Sequence, residues 1–174
     1  DASVANGTGS TASTAGAVAV GAMATASGVT GTAVGLYAQA TNDYSVALGA
    51  GSSAFGVDST AVGVGSGATS LGASAFGFGA KAMANKTVAL GYFSSATAVD
   101  SIAIGDRTTS SGENAIAVGV NASATNNNAI AVGNTANATN DRTIAMGLSA
   151  SATTSDAIAI GSNAKSLNSY ALAL

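Results

Sequence analysis

Small and large apolar residues alternate in short bursts along this chain, and the bursts return every fourteen residues. In the copy from Asn114 to Asn128, residues 115–119 read Ala-Ile-Ala-Val-Gly, which is the period-2 pattern of a half-buried strand. Val120-Asn121 follows, then a second alternation over 122–126 (Ala-Ser-Ala-Thr-Asn), and Asn127-Asn128 leads into the next copy. Two strands of about five residues and two short turns fill such a repeat, making it one flattened coil of a β-solenoid. Glycine marks the register without a slip at Gly7, Gly21, Gly35, Gly49, Gly63, Gly77, Gly91, Gly105, Gly119, Gly133, Gly147 and Gly161.

A helical reading fails on the same residues. Two heptads would need apolar a and d positions with charged flanks. Here the strongest positions lie two apart, as in Ile116 and Val118, and each repeat carries a glycine that costs about 1 kcal/mol inside a helix.

The two faces of each strand differ in size. On the first strand, the register glycine, the alanine two before it and the residue four before it form one small face. The second strand has a matching small face three and five residues after the glycine, as in Ala122 and Ala124 or Ala136 and Ala138. Two small faces meet only in a thin coil, with sheets closer than the ~10 Å of ordinary sheet packing.

The large side chains therefore point outward from the first strand. The position three before the glycine holds Val18, Val46, Val88, Ile102, Ile116, Ile130, Ile144 and Ile158. The position just before it holds Val20, Val34, Leu48, Val62, Phe76, Leu90, Ile104, Val118, Val132, Met146 and Ile160. At ~4.8 Å per coil they would form a stripe ~60 Å long. A stripe of that size is expected to be covered by sister chains lying parallel with their stripes facing one axis. Two, three or more copies would satisfy this argument equally. Thr32, Thr60 and Ser74 thin the stripe in the first half, and Asn6 stands where an aliphatic residue is expected.

The thirteen charged residues give a net charge of −3 and avoid both the small faces and the stripe. Asp1, Asp43, Glu113 and Asp141 lie six before the glycine. Asp58, Lys86, Asp100, Arg142 and Asp156 lie five before it, at expected turns. Asp106 and Arg107 fall in the other turn, and Lys81 and Lys165 on the outer strand. No basic cluster offers a footprint for nucleic acid or anionic lipid. No apolar run approaches the ~20 residues that span a bilayer, so direct membrane contact is not expected.

Candidate chemistry is sparse. The chain has no His to serve as a base and no Cys to hold a soft metal, so no catalytic residue, cofactor or metal site is expected. The Asp residues do not form the every-repeat acidic ladder of calcium-binding β-rolls. Gly63 to Gly79 has Gly-x-Gly spacings but no following Lys or helix, which argues against a phosphate loop. Asp106-Arg107 and Asp141-Arg142 read as solvated pairs. Asn42, Asn126, Asn127, Asn128 and Asn140 read as turn residues stacking between coils. Tyr37, Tyr92, Phe93, Phe55 and Met83 suit either a ligand contact or a seam between chains.

The repeats Ser101-Ile-Ala-Ile-Gly105, Ala115-Ile-Ala-Val-Gly119, Ala129-Ile-Ala-Val-Gly133 and Ala157-Ile-Ala-Ile-Gly161 resemble the head repeats of trimeric autotransporter adhesins, the YadA-like head above all. The resemblance spans essentially the whole chain. It implies an all-β, left-handed parallel β-roll assembled as a parallel homotrimer. It further implies display on the bacterial surface and adhesion to host extracellular matrix proteins or host cells. The aliphatic residues named above would then line the trimer interface, with the ligand-binding residues unknown. Residues 1–174 are expected to be one head fragment of about twelve coils, the first matching weakly over 1–16. No signal peptide, neck, stalk or membrane anchor is recognised in it, so an anchor is expected outside this segment. Two other functions compete: a structural spacer in a surface fibre, and an ice-binding solenoid. Ser123-Ala-Thr125, Asn137-Ala-Thr139 and Ser151-Ala-Thr153 approach an ice-binding array, but Gln39, Phe55, Lys81, Met83, Lys165 and Leu167 interrupt it.

Overall fold

The computed structural model describes residues 2–174, and the expectation for Asp1 lies outside them. The described residues form β-strands and turns with no helix, in about twelve coils. Each coil has a three-residue strand and a two-residue strand, such as Ile116–Val118 and Ser123–Ala124. Both are shorter than the alternation suggests, because the flanking residues bend into corners.

The chain divides into two units, one ending at Lys86 and the other starting at Thr87. In the first, strands from Val4–Asn6 to Ser74–Phe76 stack in parallel in chain order, and those from Thr11–Ala12 to Lys81–Ala82 form a second sheet. In the second, the sheets run from Val88–Leu90 to Leu172–Ala173 and from Ser95–Ala96 to Lys165–Ser166. Each residue pairs with the one fourteen along, as in Ile116 with Ile130 and Val118 with Val132. The ladder bonds follow: Ile116 N donates to Ala129 O at 2.9 Å, and Gly119 N to Ile104 O at 2.8 Å. Parallel pairing across coils thereby satisfies backbone groups that a thin interior would otherwise strand.

Each coil turns twice, with similar corners. Ala122 N donates to Gly119 O and Ala115 N to Gly112 O, both at 3.2 Å, closing four-residue turns. The third residue of each turn is left-handed, Asn121 at φ 54° and Asn114 at φ 57°, as a type II turn requires.

The register glycine is the one correction to the expected small face. It ends the first strand instead of extending it, at φ between 125° and 143°, and is partly exposed. A Cβ added at Gly35 would stand 2.6 Å from the backbone of Gly49, its counterpart one coil on. Both the dihedral and the close approach exclude a side chain.

The interior is built from alanine and small hydroxyl residues. Ala117, Ala124, Ala131 and Ala138 are fully buried, and the largest fully buried side chains among the described residues are threonines. Each buried methyl contributes only about 0.8 kcal/mol, so the backbone ladder carries an unusual share of the order. Buried hydroxyls fold back onto the carbonyl that opens their turn: Ser59 Oγ donates to Gly56 O at 2.6 Å and Ser52 Oγ to Gly49 O at 2.8 Å. Ser110 Oγ instead donates to Ala115 O at 2.9 Å. Ser101 Oγ is buried without a partner.

Candidate functional site

With the interior filled by small residues, the coil offers three outer surfaces: the stripe, the second-sheet face and the two corners. The expected stripe residues, from Val18 to Ile160, alternate with buried alanines, and none of them is buried in the coil. Leu90 and Ile160 remain 45% and 41% exposed. Ile116, Ile130 and Val132 lie on the outer side of their strands, partly exposed. Nothing in one chain covers this surface.

The second-sheet face is mainly polar. In the second unit it reads Ser95/Thr97, Thr109/Ser111, Ser123/Thr125, Asn137/Thr139 and Ser151/Thr153 on successive coils. Some hydroxyls are committed along the stack: Ser111 Oγ donates to Thr125 O at 3.3 Å. Lys165 and Leu167 interrupt this run, as Lys81 and Met83 do in the first unit, and all four are exposed.

The corners hold most of the charges and of the aromatic rings. Tyr92 and Phe93 meet edge to face at 4.6 Å between centroids, and the Arg107 guanidinium lies 5.6 Å from the Tyr92 centroid. That distance suits a cation–π contact. Arg107 Nη1 also pairs with Asp106 Oδ2 at 3.3 Å. Tyr37, Phe55 and Met83 are exposed as well.

Adjacent residues are not always the ones that pair. Arg142 turns from Asp141 to Asp156 on the next coil, donating from Nε at 2.6 Å and from Nη2 at 2.7 Å. This two-bond contact holds the Asp156 carboxyl below its usual range and raises the Arg142 guanidinium. Asp141 Oδ1 instead accepts from Asn127 N at 3.2 Å, and Asn127 Oδ1 accepts from Glu113 N at 3.1 Å. Asp43 Oδ1 accepts from Val29 N at 2.8 Å in the first unit. Asn140 Nδ2 donates to Thr153 O at 2.5 Å, one more coil-to-coil tie. Sequence reading located these residues in turns, but only the fourteen-residue register reveals their partners. Among the described residues no three His, Cys, Asp or Glu side chains gather as a metal cluster would require.

No curated protein matches the chain. The crystal structure of the collagen-binding domain of Yersinia adhesin YadA aligns with it at 26% identity and a TM-score of 0.44. The alignment covers 92% of this chain and 66% of that one, so the chain spans slightly less than two thirds of the Yersinia domain. The family model of the YadA head domain repeat (2 copies) matches residues 1–24, 26–52, 54–80, 84–108, 110–136 and 138–164. Those six segments take in nearly every coil, each with its column glycine and alanine interior. The chain belongs to the YadA head-repeat family.

Proposed function

We propose that this chain is the non-enzymatic head of a bacterial surface adhesin, exported and anchored by a segment outside this one, that binds host extracellular matrix or host cells. Membership of the YadA head-repeat family over nearly the whole chain carries the reading. Three chains stand in parallel as a homotrimer with their aliphatic stripes on the common axis. The stripe residues Val18 to Ile160 form that interface, since a surface of this size would not stay wet. The second-sheet face and the corners then look outward, and each surface feature is displayed three times. Weak contacts, linked in this way, add up to firm attachment.

Two measurements test this. Light scattering of the purified protein is expected to give three times the 16.2 kDa chain mass. The trimer should also bind immobilised matrix proteins, collagen being the first to try, and binding should weaken sharply when the chains are dissociated. Absence of binding to every matrix component and cell type tried would favour a spacer segment.

The unbroken hydroxyl and amide run from Ser95 to Thr153 supports a second reading, ice binding through a flat regular face. Thermal hysteresis in the purified protein would establish that reading, and its absence would remove it.

A further inference from the structure

The two corners of a coil share one geometry, and the second residue of each turn sits at the outermost bend. In three coils of the first unit both of these positions hold large apolar residues: Val29 with Leu36, Val57 with Val64, and Leu71 with Phe78. Their exposures run from 38% to 50%.

These same coils have a polar residue in the stripe. Thr32 stands in the coil of Val29 and Leu36, Thr60 in that of Val57 and Val64, and Ser74 in that of Leu71 and Phe78. The coil between them carries Val46 in the stripe and Asp43 and Ala50 at its corners. In the second unit the stripe position three before the glycine is always Val, Ile or Leu. There no coil has large apolar residues at both corners: Val99, Val120 and Leu148 share their coils with Asp106, Glu113 and Asp141, and Asn127 with Asn134 and Ser155 with Ser162 are polar at both. Apolar surface lost from the stripe thus reappears at the corners of the same coil.

From this exchange we infer that the apolar corners of these three coils close the seam between neighbouring copies of the chain. The inference rests on the side-by-side assembly proposed above and adds a second contact to it. One corner lies at each edge of the stripe-bearing sheet. In a closed ring of parallel chains, one edge of each chain meets the opposite edge of its neighbour at the same level. A coil that is apolar at both edges is therefore self-complementary around the ring. The second position of each of these corners is uncharged, and the one charged residue in their turns, Asp58 beside Val57, sits at an exposed third position where it can keep its hydration.

The absence of native cysteine makes a direct test clean. In the double variant Val57→Cys with Val64→Cys, the intervening strand Thr60–Val62 and its flanks hold the two sites more than ~10 Å apart within one chain. A disulfide bridges Cα atoms no more than ~7 Å apart, so oxidation can join only different chains. The expected product is a covalent ring of chains on a non-reducing gel, at the mass found by light scattering for the parent. Independently, Val57→Asn with Val64→Asn should lower the melting temperature by several degrees, and adding Thr60→Ile should recover most of the loss. An intact oligomer with no cross-link and an unchanged melting temperature would overturn the seam while leaving the shared stripe standing. The same holds if the asparagine pair leaves mass and melting unchanged but abolishes binding to collagen, which would make the corners a ligand site. A parent protein that is monomeric overturns both the stripe and the seam.

Discussion

In residues 2–86, half of the left-handed corner positions are glycine: Gly9, Gly16, Gly51, Gly65, Gly72 and Gly79. In residues 87–174 the same positions hold Asn114, Asn121, Asn128, Asp100, Asp156, Arg142 and other non-glycine residues, all at φ between 50° and 61°. The column glycines at φ 125° to 143° show no such exchange in either half. The contrast separates a soft constraint from a hard one. An ordinary left-handed corner costs a side chain about 1 kcal/mol and suits Asn and Asp best. The column position combines a dihedral that L-residues rarely adopt with a neighbouring backbone in the way.

The sharpest challenge to this contrast uses glycines two residues apart. Gly63→Ala would bring its Cβ within 2.6 Å of the Gly77 backbone carbon, whereas a Cβ on Gly65 meets nothing within 4 Å. We expect Gly63→Ala to cost about 3 kcal/mol or more in urea unfolding, and Gly119→Ala the same in the second half. Gly65→Asn should stay within about 0.5 kcal/mol of the parent. Similar losses at Gly63 and Gly65 would erase the distinction.

A smaller difference is expected along the stripe. Ile130→Thr removes apolar surface from the half with an unbroken aliphatic row, and should destabilise the assembly by about 1–3 kcal/mol per chain. Thr60→Ile repairs a break in the other half and should raise the melting temperature. A neutral Ile130→Thr in both melting and mass would mean the stripe is not covered.

Smaller still are the buried hydroxyls. Ser59 Oγ is paired with Gly56 O in the first half, while Ser101 Oγ in the second half is buried alone. Ser59→Ala should cost about 1 kcal/mol, and Ser101→Ala should be neutral or slightly stabilising. Calorimetry on the two variants decides it, and equal losses would contradict the hydrogen-bond assignment.

The slightest effect belongs to the exposed Arg142–Asp156 pair of the second half. Asp156 has its carboxyl pKa lowered in the folded chain by the Arg142 hydrogen bonds. Its contribution is therefore fully present above the unfolded carboxylate pKa and disappears as pH falls through the lower, folded value. Amide hydrogen exchange around Asp156 should quicken modestly over that acidic range, and Asp156→Asn should flatten the response. An unchanged pH dependence in Asp156→Asn would show that the pair is irrelevant.

Much of this architecture is legible in the residues alone, because a strict period makes each position report on a whole column. Ala117 and Ala131 had to face inward, and Ile116 and Ile130 outward, once alternation and residue size were read together. The column glycine shares the period of the inward alanine, which suggests the inner face, whereas its backbone dihedral takes it out of the strand. Linear order suggests Asp141 as the neighbour of Arg142, while the ladder brings it Asp156 from a full coil away. The exchange between Thr60 and its corners Val57 and Val64 lies in the sequence too. It has meaning only once all three are seen on one rung with the corners at opposite edges of one sheet.

The seating of each column glycine against the next one has a further consequence for how such a molecule can change length. Inserting or deleting a single residue would throw a side chain onto a neighbouring carbonyl and shift every later rung out of step. Only whole turns can be added or removed without penalty. The height of the array is thus adjustable in fixed increments, as courses of brick set the height of a wall, and each increment carries its own self-contained fastening to the one below.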